Sequence, residues 1–133
     1  MRVLVDTNII IAAMINPFGK PSLVLNSVIA FHEMYVCRQT LTELTNFLSK
    51  KRAQKYQHAE SIFNRLLKSA IVLDPLQIES ALEFQIRDAT DRPILRAAVE
   101  SKVDIILTGD RDFLESGIES PQILTASEFL DLF

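Results

Sequence analysis

A chain of 133 residues, 48% of them hydrophobic, with three glycines and five prolines, can bury one sizeable core and has no Gly-rich or Pro-rich tract to link two domains. Fourteen Lys and Arg against seventeen Asp and Glu leave a formal charge of −3, which excludes a protein that coats nucleic acid by electrostatics alone but not an enzyme with a local basic surface. One cysteine excludes an internal disulfide and a thiolate metal cluster, and no apolar run reaches bilayer length; the expectation is a single cytoplasmic domain over residues 1–133, with no membrane association.

Arg2 to Val5 reads as a short strand ending at Asp6, and Asn8 to Met14 continues as a helix after a tight turn. Pro21 and Ser22 open a second helix, since proline has no amide hydrogen to lose in a first turn. The run Met34 to Cys37 is a strand, which makes Cys37 a buried packing residue. A helix beginning at Gln39 or Thr40 carries Leu41, Leu44, Phe47 and Leu48 on one face, with Glu43 at the edge of that stripe. Ala59 to Leu67 is amphipathic, with Ile62, Phe63, Leu66 and Leu67 turned inward, and Ile71 to Leu73 is a third strand stopped by a turn at Asp74 and Pro75.

A helix is expected from about Ile78 to Phe84, and another over Arg92 to Glu100 with Thr90 or Asp91 as its cap and Pro93 in its first turn. Val103 to Leu107 is a fourth strand, with Asp110 just beyond it in the turn Gly109 to Asp112. The strand Gln122 to Leu124 and the helix Ser127 to Leu132 close the chain. Strands alternating with helices, with no Asn-Gly hairpin signal, imply an α/β fold: a mainly parallel central sheet covered by helices on both faces.

Ligand crevices of open α/β sheets lie outside the carboxyl ends of the strands, which is where Asp6 and Asp110 fall. Asp91 at a helix start can face the same crevice, and Glu43 reaches it if its helix packs on the sheet. Thr7 and Asn8 supply groups suited to orient a carboxylate or a water, whereas Asp74, followed by Pro75, suits a turn. Asp88 and Asp112 are further candidates for outer ligands. Carboxylates that converge raise one another's pKa, and a hard divalent cation relieves the repulsion. Oxygen ligands favour Mg²⁺ or Mn²⁺ over zinc, and neither His32 nor His58 has metal-ligand spacing. With such an ion, the common chemistry is reaction at phosphorus. Lys50, Lys51, Arg52 and Lys55, with Arg65 and Lys68 further along, form the one local basic cluster; it is either a solvated helix end or a phosphate contact.

These residues resemble those of the PIN-domain family, in particular the VapC-like toxins of toxin-antitoxin pairs. The markers run through nearly the whole chain: Val3 to Asn8; Thr40, Leu41, Glu43 and Leu44; Asp91 with Ile94, Leu95, Ala97 and Ala98; and Leu107 to Phe113. The resemblance implies a three-layer α/β/α sandwich, Mg²⁺ or Mn²⁺, and endonucleolytic cleavage of RNA. It makes Asp6, Glu43, Asp91 and Asp110 the acidic quartet, with Asp112 at a position that sometimes adds a ligand. Thr7, Asn8 and Thr108 would orient carboxylates or water. It also implies a protein antitoxin and a homodimer. One rival is a receiver-like signalling module, which wants a lysine just past a late strand; Lys102 instead precedes the fourth strand. An aspartyl phosphatase would want an acid where Asn8 stands. A catalytically silent PIN-like binding module is the third alternative.

Overall fold

The computed structural model describes residues 1–74, 79 and 81–133. Five strands, β1 (Arg2–Val5), β2 (Glu33–Cys37), β3 (Ile71–Leu73), β4 (Ile105–Leu107) and β5 (Gln122–Leu124), form one sheet in the order β3-β2-β1-β4-β5. Every neighbouring pair is parallel. The central strands are apolar at successive positions because both faces of the sheet are covered. Val3 and Val5 point into one core and Leu4 into the other, as the alternation of a strand requires.

The larger layer comprises α1 (Thr7–Ile15), α2 (Lys20–Phe31), α3 (Arg38–Ser49), α4 (Ala59–Ser69) and α7 (Ala126–Leu132). They surround Ile10, Val24, Leu44, Leu66 and Phe129. The opposite layer has α5 (Arg92–Glu100), the single turn α6 (Arg111–Leu114) and a 3-10 turn over Ala81–Gln85, packed around Leu95, Ile86 and Phe113. The result is the expected α/β/α sandwich. Among the described residues no single helix is long and apolar enough to cross a membrane.

Several local expectations are corrected. The stretch expected to be a helix from Ile78 to Phe84 forms a 3-10 turn over Ala81–Gln85, while residues 75–78 and 80 lie outside the described residues. Glu83 in that turn is 1% exposed and binds Arg96 of α5 at 2.7 and 3.0 Å, so its place in the fold comes from a tertiary ion pair rather than from helical periodicity. Leu67, expected inside, is 50% exposed because α4 turns only Ala59, Ile62 and Leu66 fully toward the core. Asp74 accepts 2.6 and 3.0 Å bonds from Arg38 across the β2 and β3 ends, an exposed ion pair that holds its carboxyl below the usual range. The segment after β4 is not only a turn, since Arg111–Leu114 coil into α6. Cys37 is buried in β2 as expected, and burial first, then nearby carboxylates, push its thiol up to about 12.

Candidate metal centre

The chain leaves β1 to build one half of the sheet through β2 and β3, then returns to β4 on the other side of β1. The reversal opens a crevice at the carboxyl ends of β1 and β4. Asp6 follows β1 directly, its amide extending the ladder to the Leu107 carbonyl at 2.9 Å. One Asp6 oxygen accepts from the Thr7 amide at 2.8 Å at the start of α1, and the other accepts from the Thr108 hydroxyl at 2.8 Å. Both oxygens are therefore pinned, one from the start of α1 and one from the end of β4. The Thr108 hydroxyl also accepts from the Asp110 amide at 3.0 Å, and Asp110 caps α6 by accepting from the Asp112 amide at 2.9 Å. A chain of hydrogen bonds thus runs from the end of β1 through the end of β4 into α6.

Burial raises the Asp6 pKa, the charges of Asp110 and Glu43 raise it further, and the Thr108 and Thr7 hydrogen bonds oppose both. Asp91 is pushed up to about 7, by burial first, then by a side-chain hydrogen bond with Asp110 and by the charges of Asp110, Asp88 and Asp6. Asp6, Glu43, Asp91 and Asp110, spread over more than a hundred positions of sequence, therefore share one electrostatic neighbourhood. None of these carboxylates makes an ion pair among the described residues. On its outer side, one oxygen each of Asp88, Asp91 and Asp112 lies within 4.8 Å of the others. Of these three, Asp112 alone makes an ion pair among the described residues, with Arg87 at 3.1 Å, while hydrogen bonds from Thr90 first, and then the charge of Arg92, lower the Asp88 pKa.

Asp91 precedes α5 but makes no side-chain capping bond. Asp88 caps the 3-10 turn Ala89–Asp91 that leads into α5, accepting from the Thr90 amide at 3.0 Å and hydroxyl at 2.8 Å. Asp91 is thereby left to face Asp110. Glu43, partly buried on α3, is oriented by the Gln39 amide one turn earlier at 2.9 Å, a bond that the i, i+4 spacing could have signalled.

Two of the expected supporting groups act differently from the sequence reading. Asn8 is exposed and makes no bond to Asp6, because the first turn of α1 points it outward. The Thr7 hydroxyl donates to the Thr40 hydroxyl at 3.0 Å, both residues being buried, and so ties the start of α1 to α3. The part Thr40 plays becomes visible once α1 and α3 are packed together. Thr40→Val leaves the Thr7 hydroxyl without its partner and is expected to cost about 1–2 kcal/mol in urea denaturation, with Thr7→Val/Thr40→Val recovering part of the loss. Equal stability of both variants and the wild type would show that this bond does not hold the site. Lys50, Lys51, Arg52 and Lys55 are exposed just past the far end of α3, where Lys51–Lys55 form a 3-10 turn. Lys102, the lysine weighed for a receiver-like module, lies in the turn before β4, at the end of that strand remote from the acids.

An oxygen-only donor set with unrelieved negative charge fits a hard divalent cation and offers nothing to a soft one. The model of the PIN domain family matches residues 2–112. The uncharacterized protein MJ1680 of Methanocaldococcus jannaschii is 30% identical, over 100% of this chain and 92% of its own length. Among solved structures, VapBC from Salmonella typhimurium bound to DNA matches with a TM-score of 0.65 at 17% identity, over 95% of this chain and 98% of that one. PAE2754 from Pyrobaculum aerophilum matches at 0.62 and 17%, over 99% and 94%. FitAcB from Neisseria gonorrhoeae matches at 0.60 and 20%, over 94% and 98%. At these identities the structural likeness speaks for the fold.

Proposed function

This chain belongs to the PIN-domain family, and from that premise we propose that it is a metal-dependent endoribonuclease, the toxin of a cytoplasmic toxin-antitoxin pair. The observation that carries the reading is the gathering of Asp6, Glu43, Asp91 and Asp110, unpaired with any cation among the described residues, at the sheet's reversal point. Asp6 and Asp110 would hold the principal Mg²⁺ or Mn²⁺, with Asp91 and Glu43 completing the site and Asp112 at its outer edge. The ion supplies charge stabilisation at the scissile phosphate and a more acidic water. The protein's own part is positional. Thr108 and the Thr7 amide fix the Asp6 carboxylate, Gln39 fixes Glu43, and the buried β1 and β4 ends exclude water from behind the acids.

The antitoxin reading has structural company, since the Salmonella neighbour was crystallised as a VapBC complex on DNA. A protein partner is proposed for this chain on that ground, and homodimerisation on the family resemblance alone. The deciding experiment is RNA cleavage by protein purified free of any inhibitor, with and without Mn²⁺, for wild type and Asp110→Asn. Cleavage by the wild type only, and only with the ion, is the expected result. Activity in both proteins would point to contamination, and full retention of the RNA by the wild type with Mn²⁺ would favour a silent binding module.

A further inference from the structure

A cleft of about 590 Å³ adjoins the acidic site and shares Glu43 with it as a wall. We propose that this cleft seats one nucleotide of a single-stranded RNA beside the scissile phosphate, the base against Tyr56 and Phe47 and the phosphate among Lys50, Arg52 and Lys55. The proposal rests on the ribonuclease reading above and adds which side chains of this chain hold the strand.

Asn46 and Phe47 follow Glu43 on α3 at three and four positions, so they share its helical face, and Lys50 stands just past the end of α3, leading away from the acids. Glu43 to Lys50 is two turns, about 10 Å along the axis, a span that neighbouring nucleotides of one strand can bridge. The cleft has two chemically distinct sides. Ile11, Phe47 and Tyr56 give it an apolar, aromatic wall, while Lys50, Arg52 and Lys55 give it positive charge.

None of the three makes an ion pair among the described residues, so each is open to an incoming anion. In a chain of net charge −3, three free cations beside an aromatic ring are a local concentration that calls for an anion with a flat apolar part. The Tyr56 ring is held in place by stacking on Phe47, with centroids 6.2 Å apart and planes 18° from parallel. The Lys55 ammonium lies 5.4 Å from the Tyr56 centroid, on a stem long enough to turn toward a phosphate. Every base has a π-face, so such a wall accepts a base without strong sequence preference, while a base still paired in a duplex cannot enter. Asn46 on the lining offers both a donor and an acceptor to a base edge.

The test uses fluorescence anisotropy with a short fluorescein-labelled single-stranded RNA of mixed sequence, and with its duplex, in the Asp6→Asn background so that binding is read without cleavage. Tyr56→Ala should weaken single-strand binding about ten-fold, Tyr56→Phe should leave it unchanged, and neither should alter duplex binding. Lys50→Ala and Lys55→Ala should each lower the slope of log affinity against log salt by about 0.7. Thermal melts run alongside show whether Tyr56→Ala is folded; if it is not, the lysine slopes and a Phe47→Leu comparison carry the decision. Single-strand affinity unchanged in folded Tyr56→Ala, or an equal loss on duplex, overturns the seat. Unchanged salt slopes overturn it as well, and competition by an acidic peptide in place of RNA would assign the cleft to a protein tail. Failure here is separable from failure of the activity: wild-type cleavage with Tyr56-independent KM sinks only the seat, whereas Tyr56-dependent binding without cleavage by the wild type sinks only the nuclease.

Discussion

Asp6→Asn is expected to reduce RNA cleavage by about a hundred-fold or more while leaving the metal-free protein as stable as the wild type or slightly more so. The two halves of that expectation have one cause. Asp6 is a carboxylate held in a buried position beside Asp110 and Glu43, where its charge is costly until a cation arrives. Asparagine keeps an oxygen for the Thr7 amide and a group to meet the Thr108 hydroxyl, so the start of α1 and the link to β4 survive. What is lost is the negative charge, and with it the grip on the ion. Cleavage assays paired with urea melts of the metal-free protein check both parts. A destabilised variant with unchanged nuclease activity would refute the assignment of Asp6, because the residue would then be a structural cap with no part in the chemistry.

The second expectation concerns pH and metal together. The folded-state pKa of Asp91 is about 7 against 3.8 for a free side chain, and that of Asp6 is also raised. Between about pH 4 and pH 7 the folded metal-free protein therefore binds more protons than the unfolded chain, and its stability falls as pH rises through that window. This is the reverse of the usual carboxylate contribution, which Asp74 and Asp88 make through their lowered pKa values. Asp91 is in part solvated, so screening reduces the loss to about 1 kcal/mol. A divalent ion competes with the proton for the same oxygens. Mn²⁺ is thus expected to raise the melting temperature clearly near pH 7.5 and little near pH 5, and Asp110→Asn is expected to flatten both dependences. Differential scanning fluorimetry in the presence of Mn²⁺ or of EDTA reads this directly. A metal-free melting temperature level across the window and unmoved by Mn²⁺ would mean that the carboxylates are already compensated without a cation.

The order of elements could be read along the chain because it depends on local signals. Uninterrupted apolar runs such as Val3 to Val5 and Ile105 to Leu107 specify strands buried on both faces, and Pro21 and Pro93 mark helix starts. From that order followed a parallel sheet, and from the sheet followed the expectation that Asp6 and Asp110 sit at strand ends on one side. Thr108 was named only through the family resemblance, and its bond to Asp6 joins groups 102 residues apart.

What needed the tertiary structure was every assignment that depends on a partner far along the chain. Capping statistics allow Asp91 to cap α5, and only the fold shows Asp88 taking the capping bonds while Asp91 turns toward Asp110. Periodicity proposed a helix before Phe84, yet Glu83 is buried by a guanidinium thirteen residues later, a pairing with no local signature. Asn8 has the right chemistry for the site, but the first turn of α1 rotates it into solvent, and Thr7 spends its hydroxyl on Thr40 instead of the acids. Local propensity acts over a few residues and is written in the chain itself. The direction in which a polar side chain points, and the charge it meets there, are set by which helices the sheet brings into contact.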